Sequence, residues 1–395
     1  MAKAKKLSAQ RLLNKVASTL KLDDFGDPRF VAEYTHAMET IDDELNLSPT
    51  GVAITEEFAE RSLTNLLRMQ RDLKAHPEIH DEVLAPPIVV TGFARSGTTK
   101  MQRLLSVNPY AQKLALWKLL NHAPFDGAPL NQLRGLDPRI AWAEAVIQAS
   151  QQAAPEMWAA HPTPPLDAEE DFLLHDLTMI SPTVGMRVGA RHYMNACTPM
   201  NPRVYEFLRT ALKYLQWQSG DPGRATKPWI LKSPIHIGNL VLLQKIFPGA
   251  KIVHCHRDAE TSLASTASLD ELSRKMYEDH LDLTSIGTGA MEYWGREWQR
   301  NLETRSQLAP GSFCDIRFED VNKNALAVAE KVCVFAGLTF DDAARNAIAQ
   351  WEAANPRHKA GTHVYNGADY GLTRERVRKA YAAYYDYFAG SDILK

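Results

Sequence analysis

The sequence predicts an α/β fold in which a parallel sheet is flanked by helices. Four short segments are β-branched or aromatic and are bounded by chain-breaking residues, which predicts buried strands at 87–91, 229–231, 251–256 and 313–318. A helical pattern follows each strand, at 98–107, 237–247, 259–272 and 325–336. Strands that are apolar almost throughout and alternate with helices are typical of a parallel sheet covered on both faces.

The domain organisation follows from the length of the chain and its helical patterns. A chain of 395 residues, 45% of them hydrophobic, is long enough to bury one large core. We predict a helical N-terminal segment, 1–80, packed on that core, and a single α/β domain over 81–395 with a helical insertion at about 110–225. The Pro-rich stretch 161–165 is predicted to be a loop inside the insertion.

Charge and composition exclude several classes of partner. The formal net charge is −2, so no global field exists to hold nucleic acid or an anionic membrane. No stretch approaches the roughly 18 apolar residues of a membrane span, and the basic N-terminus has helical spacing rather than a signal-peptide core. The four cysteines lack zinc-ligand spacing, and we expect reduced thiols in a cytoplasmic protein.

The turn after the first predicted strand has the composition of a phosphate-binding loop. Gly92 and Gly97 are spaced as in G-x-x-x-x-G-K-[ST], with Thr98 in the position of the lysine. Glycine at both ends lets backbone amides converge, and the helix N-terminus adds partial positive charge. Arg95 supplies a cation from inside this P-loop-like turn. Hydroxyl donors come from Ser96, Thr98 and Thr99.

A second anion site is predicted at the end of the third strand. Arg257 ends the strand, and Ser265 lies eight positions later on the next helix, so the two side chains could hold one phosphate from two sides. By itself the pattern is weak, because Arg257-Asp258 at a helix start is also a common structural pair and cap.

Together these segments resemble the donor site of sulfotransferases that use 3′-phosphoadenosine 5′-phosphosulfate (PAPS), and most of all their bacterial branch. TGFARSGTT is similar to the family's 5′-phosphosulfate loop, and HRDAETSLAS to its 3′-phosphate motif. WILKSPIHIGNL resembles the strand and turn that carry the family's lysine, here Lys232, and its catalytic histidine. NPRHKAGTHVY is similar to the loop that closes on the 3′-phosphate, with matching positions at Arg357, Lys359 and Gly361.

The resemblance, over roughly 85 to 395, implies transfer of a sulfuryl group from PAPS to a hydroxyl or amine of a small-molecule, lipid or glycan acceptor, without a metal. A homo-oligomer is compatible with it. Arg95 and Lys232 are the candidates to meet the leaving oxygen. Two departures are evident: Arg95 stands where the better-known cytosolic enzymes have lysine, and Pro234 where they have the catalytic histidine.

The general base is therefore open. His236, four residues after Lys232, is the first candidate. The acids Glu169, Glu170 and Asp171 are the alternative, although they also suit the first turn of a helix. Aromatic residues of the insertion are candidates for an apolar acceptor pocket or for the core: Trp117, Phe125, Trp142, Trp158 and Phe172.

Two other functions compete with this prediction. An ATP-dependent phosphotransferase with Mg²⁺ could use Asp258 as a metal ligand, but it lacks the loop lysine at Thr98. A regulatory nucleotide-binding protein would bind the nucleotide without turnover and contact a partner through the basic N-terminal helix. His254 and His256 alternate on a buried strand and are expected to serve packing or support.

Overall fold

The computed structural model describes residues 6–128, 137–356 and 364–394, and its centre is a five-stranded parallel sheet. The strand order is β2-β3-β1-β4-β5. The strands are β1 Ile88–Gly92, β2 Gln112–Lys113, β3 Trp229–Lys232, β4 Lys251–His256 and β5 Phe313–Arg317. The predicted α/β fold is confirmed, and the carboxyl ends of the strands form one edge of the sheet.

The central strand β1 is buried on both faces because helices cover each side. Ile88 and Val90 pack in one apolar cluster, and Val89 packs in the other. Side chains alternate along a strand, so a strand covered on both faces must be apolar at every position. This is why the segment has no polar alternation in the sequence.

The N-terminal helices are α1 Ala9–Leu20, α2 Phe30–Glu44 and α3 Pro49–Ala75. Their apolar faces meet in a cluster of their own, here called the N-terminal cluster, which includes Leu12, Tyr34 and Leu63. Helices of the insertion complete this cluster through Val184 and Tyr193. The N-terminal segment therefore packs directly against the wall of the insertion.

The remaining helices surround the sheet. After β1 and β2 come α4 Thr98–Ser106, α5 Leu116–Leu120, α6 Pro138–Ala153, α7 Pro155–Ala160, α8 Phe172–His175, α9 Pro182–Val188, α10 Arg191–Ala196 and α11 Pro202–Gln218. After β3 come α12 Leu240–Ile246, α13 Ala259–Arg274, α14 Leu283–Arg305, α15 Phe318–Lys323, α16 Ala325–Ala336, α17 Asp342–Ala354, α18 Arg374–Ala380 and α19 Ala382–Phe388. Across the described ranges, no helix has both the length and the apolar character for crossing a bilayer.

The structure differs from the sequence prediction at a few boundaries. The short edge strand β2 was not predicted, and neither was the long helix α14. Phe318, placed at the end of the last predicted strand, begins α15 instead. The Pro-rich stretch 161–165 contains no helix or strand, as predicted.

Candidate active site

The loop between β1 and α4 is a tight turn that requires both of its glycines. Gly92 has a φ of 142°, and a Cβ there would lie 2.1 Å from the carbonyl oxygen of Cys255 on β4. Gly97 has a φ of 87° and stands immediately before α4. Ser96 is fully buried, and its hydroxyl donates to the Phe93 carbonyl at 2.7 Å, so it shapes the turn from inside.

The two predicted anion sites meet at this turn. Arg95 Nε donates to Ser265 Oγ at 3.1 Å, and Arg257 Nη1 donates to the Arg95 carbonyl at 2.8 Å. The Arg257 guanidinium also lies over the Phe318 ring, 4.1 Å from its centroid. Burial lowers the pKa of Arg95, and the nearby charge of Arg257 adds to the effect. Within the ranges that the structure describes, neither arginine forms an ion pair with a carboxylate.

A cavity of about 840 Å³ begins at this loop and extends between the helices of the insertion and α13 and α14. Gly97, Thr98 and Thr99 line its loop end together with Arg95, Arg257 and Ser265. The predicted residues Arg357, Lys359 and Gly361 lie outside the described residues. The flanking Pro356 and Tyr365 line the same end of the cavity.

A buried lysine and a row of acids stand at the carboxyl end of β3. Lys232 is fully buried, and its Nζ forms an ion pair with Glu170 and lies 3.6 Å from Glu169 Oε1. Burial opposes ionisation of Glu169, but His161 and Lys232 hold its pKa below the usual range. Of the three acids, Glu170 lines the cavity. Lys232 therefore acts on the cavity through a direct contact with a cavity-lining carboxylate.

His236 lies behind this pair rather than in the cavity. It is fully buried on the turn Pro234–Gly238, and its Nε2 donates to Asp171 Oδ2 at 3.0 Å. Its Nδ1 accepts from the Tyr205 hydroxyl at 2.8 Å. Burial raises the pKa of Asp171, but the His236 ring outweighs it and leaves that pKa below its ordinary value. Both ring nitrogens are thus engaged within the protein.

The other predicted groups divide between the cavity and the core. Trp158 and Phe172 line the cavity, whereas Trp117 and Trp142 pack in a separate cluster with Ala143. Phe125 stacks edge-on against Trp142, with ring centroids 6.4 Å apart. Two of the five candidate aromatic residues are therefore placed to contact a ligand.

Asp258 and the histidines of β4 have structural partners. Asp258 caps α13 by accepting from the Thr261 amide at 3.1 Å, and it accepts from the Tyr385 hydroxyl at 2.9 Å. His256 Nε2 donates to Asp315 at 2.8 Å. His254 Nδ1 accepts from an arginine of α14 at 2.8 Å. These contacts agree with a cap at Asp258 and a packing role for both histidines.

Two groups in the described residues have the side chains of a metal site, namely His161 with Glu169 and Glu170, and His254 with His256 and Asp315. In the first group Lys232 already supplies a positive charge to both glutamates. In the second, Arg305 forms an ion pair with Asp315. The acids are therefore compensated by protein cations, which suits chemistry without a resident metal.

Several residues that line the cavity were not predicted from the sequence. They lie on helices far from the glycine loop: Met186, Arg191, Met194, Asp270, Arg274, Ile286, Tyr293 and Trp294. Their spacing is the ordinary spacing of amphipathic helices, so the sequence does not distinguish a cavity wall from a core. Only the packing of α9, α10, α13 and α14 reveals that these side chains face a common space.

This fold is that of a sulfotransferase. Residues 86–342, well over half of the chain, match the model of the sulfotransferase family, to which the protein therefore belongs.

Two solved structures are similar along nearly the whole chain. Sulfotransferase STF1 of Mycobacterium tuberculosis H37Rv is 26% identical, with a TM-score of 0.82 over 96% of this chain and 100% of that one. Sulfotransferase STF9 of Mycobacterium avium has the same fold, at 21% identity and a TM-score of 0.83 over 98% of each chain. No curated protein matches the sequence at a significant level.

Proposed function

We propose that the protein transfers the sulfuryl group of PAPS to a hydroxyl or amine of a small-molecule acceptor. The observation that supports this proposal is the meeting of Arg95, Arg257 and Ser265 beside the N-terminus of α4. Two guanidinium groups without a carboxylate partner in the described residues suit a ligand with an anionic group at each end. PAPS has a phosphosulfate at its 5′ end and a phosphate at its 3′ end.

In this proposal the glycine loop and the second motif bind opposite ends of PAPS. Arg95, Thr98 and Thr99 bind the 5′ end, with Ser96 and Gly97 holding the turn in shape. Arg257 and Ser265 bind the 3′-phosphate. Arg357, Lys359 and Gly361 remain in the proposal as the segment that completes the 3′ end, by resemblance to the family.

Glu170 is the proposed general base in place of His236. Its carboxylate lines the cavity and contacts Lys232, whereas His236 is buried with both ring nitrogens bonded. Glu170 accepts the proton of the acceptor O–H as the oxygen bonds to sulfur. The sulfur–oxygen bond to the phosphate breaks with its electron pair on the phosphate oxygen, and Lys232 and Arg95 stabilise that charge. His236 holds Asp171, the neighbour of the base.

Calorimetric titration tests the donor site. In EDTA, 3′-phosphoadenosine 5′-phosphate should bind tightly, while ADP and ATP bind far more weakly because they lack the 3′-phosphate. Arg257→Ala should weaken the first ligand about 10- to 100-fold, the value of one charged hydrogen-bonding group. Arg345→Ala, on the surface pair with Glu330, is the matched control. Equal affinity of the wild-type protein for all three nucleotides, or an ATP preference that requires Mg²⁺, would contradict the proposal.

A pair of substitutions tests the base, using the first acceptor identified by a mass-spectrometric screen with PAPS. Glu170→Gln keeps an oxygen for Lys232 but removes the proton acceptor, so kcat should fall roughly 10²- to 10⁴-fold with donor affinity retained. His236→Asn should mainly lower the free energy of unfolding and leave kcat nearly unchanged. A Glu170→Gln variant with full turnover would remove Glu170 from its proposed role and leave the donor site unaffected.

A further inference from the structure

A carboxyl group in the cavity wall formed by α13 has no hydrogen-bond or ion-pair partner in the described part of the chain. Asp270, on α13, lines the cavity. Within 6–128, 137–356 and 364–394 its side chain forms no hydrogen bond and no ion pair. Burial raises its pKa to about 7, against the smaller opposing effect of Arg274 and Arg191. A group left in this state in a cavity wall is available to a ligand.

Two arginines converge on the same wall, each lying directly on a glycine. A Cβ at Gly289 of α14 would lie 2.1 Å from Arg191 Cζ, and a Cβ at Gly189 would lie 2.6 Å from Arg274 Nε. Glycine at both positions therefore makes room for a guanidinium group at the cavity.

Arg191 brings a positive charge to this wall: burial and Arg274 lower its pKa, and the carboxylates of Asp270, Glu292 and Glu44 act against them. Arg191 donates to the Ser285 carbonyl at 2.7 Å and has no ion pair among the described residues. Arg274 is paired with Glu278 at 2.8 Å, although its buried Nε has no hydrogen-bond partner. Arg187, the third arginine here, is paired with Asp176.

Apolar side chains line the same cavity. They come from α9, α10 and α14 and include Met186, Met194, Ile286, Tyr293 and Trp294. A ligand that reaches from Glu170 to Arg191 would therefore also contact apolar side chains.

We propose that Arg191, Arg274 and Asp270 form a subsite for an oxyanion, such as a carboxylate, at the end of the acceptor remote from the group that receives the sulfuryl. The inference rests on the proposed function, which places the donor at the loop end. Guanidinium groups bind carboxylates in bidentate geometry, and a neutral Asp270 donates a further hydrogen bond. An ammonium group would instead face two guanidinium groups. The acceptor class is an amphipathic hydroxy acid.

The test uses three matched series of straight-chain probes of increasing length: ω-hydroxyalkanoates, ω-hydroxyalkanamides and ω-aminoalkanols. Each is titrated into the protein with and without 3′-phosphoadenosine 5′-phosphate. At the best chain length the carboxylate should bind at least about tenfold more tightly than the amide, as expected for a charged hydrogen bond. Arg191→Met should abolish that preference while leaving nucleotide affinity unchanged.

Two further variants distinguish a specific loss of the oxyanion subsite from a general loss of structure. Gly289→Ala keeps every charge but displaces the Arg191 guanidinium, so it should reduce the carboxylate preference. Arg296→Ala, exposed on the same helix and outside the cavity lining, should retain it. Equal binding of carboxylate and amide at every length, tighter binding of the aminoalkanol, or no binding by any series would overturn the subsite. Failure of the nucleotide to bind would instead count against the donor site, and the titrations without nucleotide would still decide the subsite.

Discussion

Replacement of Asp270 by asparagine should make the folded protein more stable at neutral pH, and the gain should disappear in acid. The carboxyl has an ordinary pKa of 3.8 and a pKa raised to about 7 in the folded chain, with burial as the main cause. The folded state thus binds the proton more tightly than the unfolded state. The wild-type carboxyl therefore costs no stability below about pH 4, and its cost grows as the pH rises to about 7.

The size of the effect follows from the same two values. Each pKa unit is worth about 1.36 kcal/mol, so full ionisation of Asp270 costs the folded state up to roughly 4 kcal/mol. The Asp270 side chain is only half-buried, so solvent screening reduces this cost, and we expect a measured difference of about 1–4 kcal/mol. The opposing effect of Arg274 and Arg191 on the carboxylate is already contained in the pKa of about 7 and is not counted again.

Urea unfolding at intervals from pH 4 to pH 8 measures this difference. The free energy of unfolding of Asp270→Asn, minus that of the wild type, should rise with pH and level off above about pH 7. Glu292→Gln, an exposed acid on α14, is the matched control and should follow the wild-type curve. Parallel curves for Asp270→Asn and the wild type would refute the reasoning, because they would mean that Asp270 titrates alike in the folded and unfolded chains.

Two other substitutions test the backbone turn and the buried hydrogen bond that hold the site in place. Gly92→Ala should lower the free energy of unfolding by more than about 2 kcal/mol, since it adds a clash with Cys255 to a strained φ. Gly311→Ala, with a φ of 80° and open space around it, should cost less, and equal losses in Tm would contradict the clash. Tyr205→Phe removes the hydroxyl bonded to His236 and should cost about 1 kcal/mol with kcat within a few-fold, whereas a hundredfold fall in kcat would assign this buried pair a direct part in proton transfer.

The sheet could be predicted where a strand is buried on both faces and ends at a breaker. β1, β3 and β4 meet that condition, and their helices follow in sequence. β2 does not, because it has only two residues, Gln112 and Lys113, and no apolar run. Helix α14 escaped prediction because Gly287 and Gly289 interrupt its pattern where Tyr370 and Arg191 pack against the backbone.

The meeting of the two loop arginines could be predicted because the loops that follow parallel strands lie at one edge of the sheet. That rule brings Arg95 after β1 and Arg257 after β4 together. It does not apply to Glu170, which lies in the insertion between strands and reaches Lys232 by a path that spacing alone does not determine. His236 is close to Lys232 in sequence, but the turn directs its ring inward to Asp171, which the spacing does not determine.

The N-terminal cluster has a consequence for how specificity can change. Val184, Val188 and Tyr193 face that cluster, while Met186 and Arg191, on the same pair of helices, face the cavity. Substitutions in α1 and α2 can therefore shift this wall of the cavity from behind. Met69 and Leu73 of α3, by contrast, pack in the apolar cluster that contains Val89 of β1 and Phe93 of the glycine loop. Changes in α1 and α2 can thus reshape one wall of the cavity while the surroundings of the glycine loop stay the same.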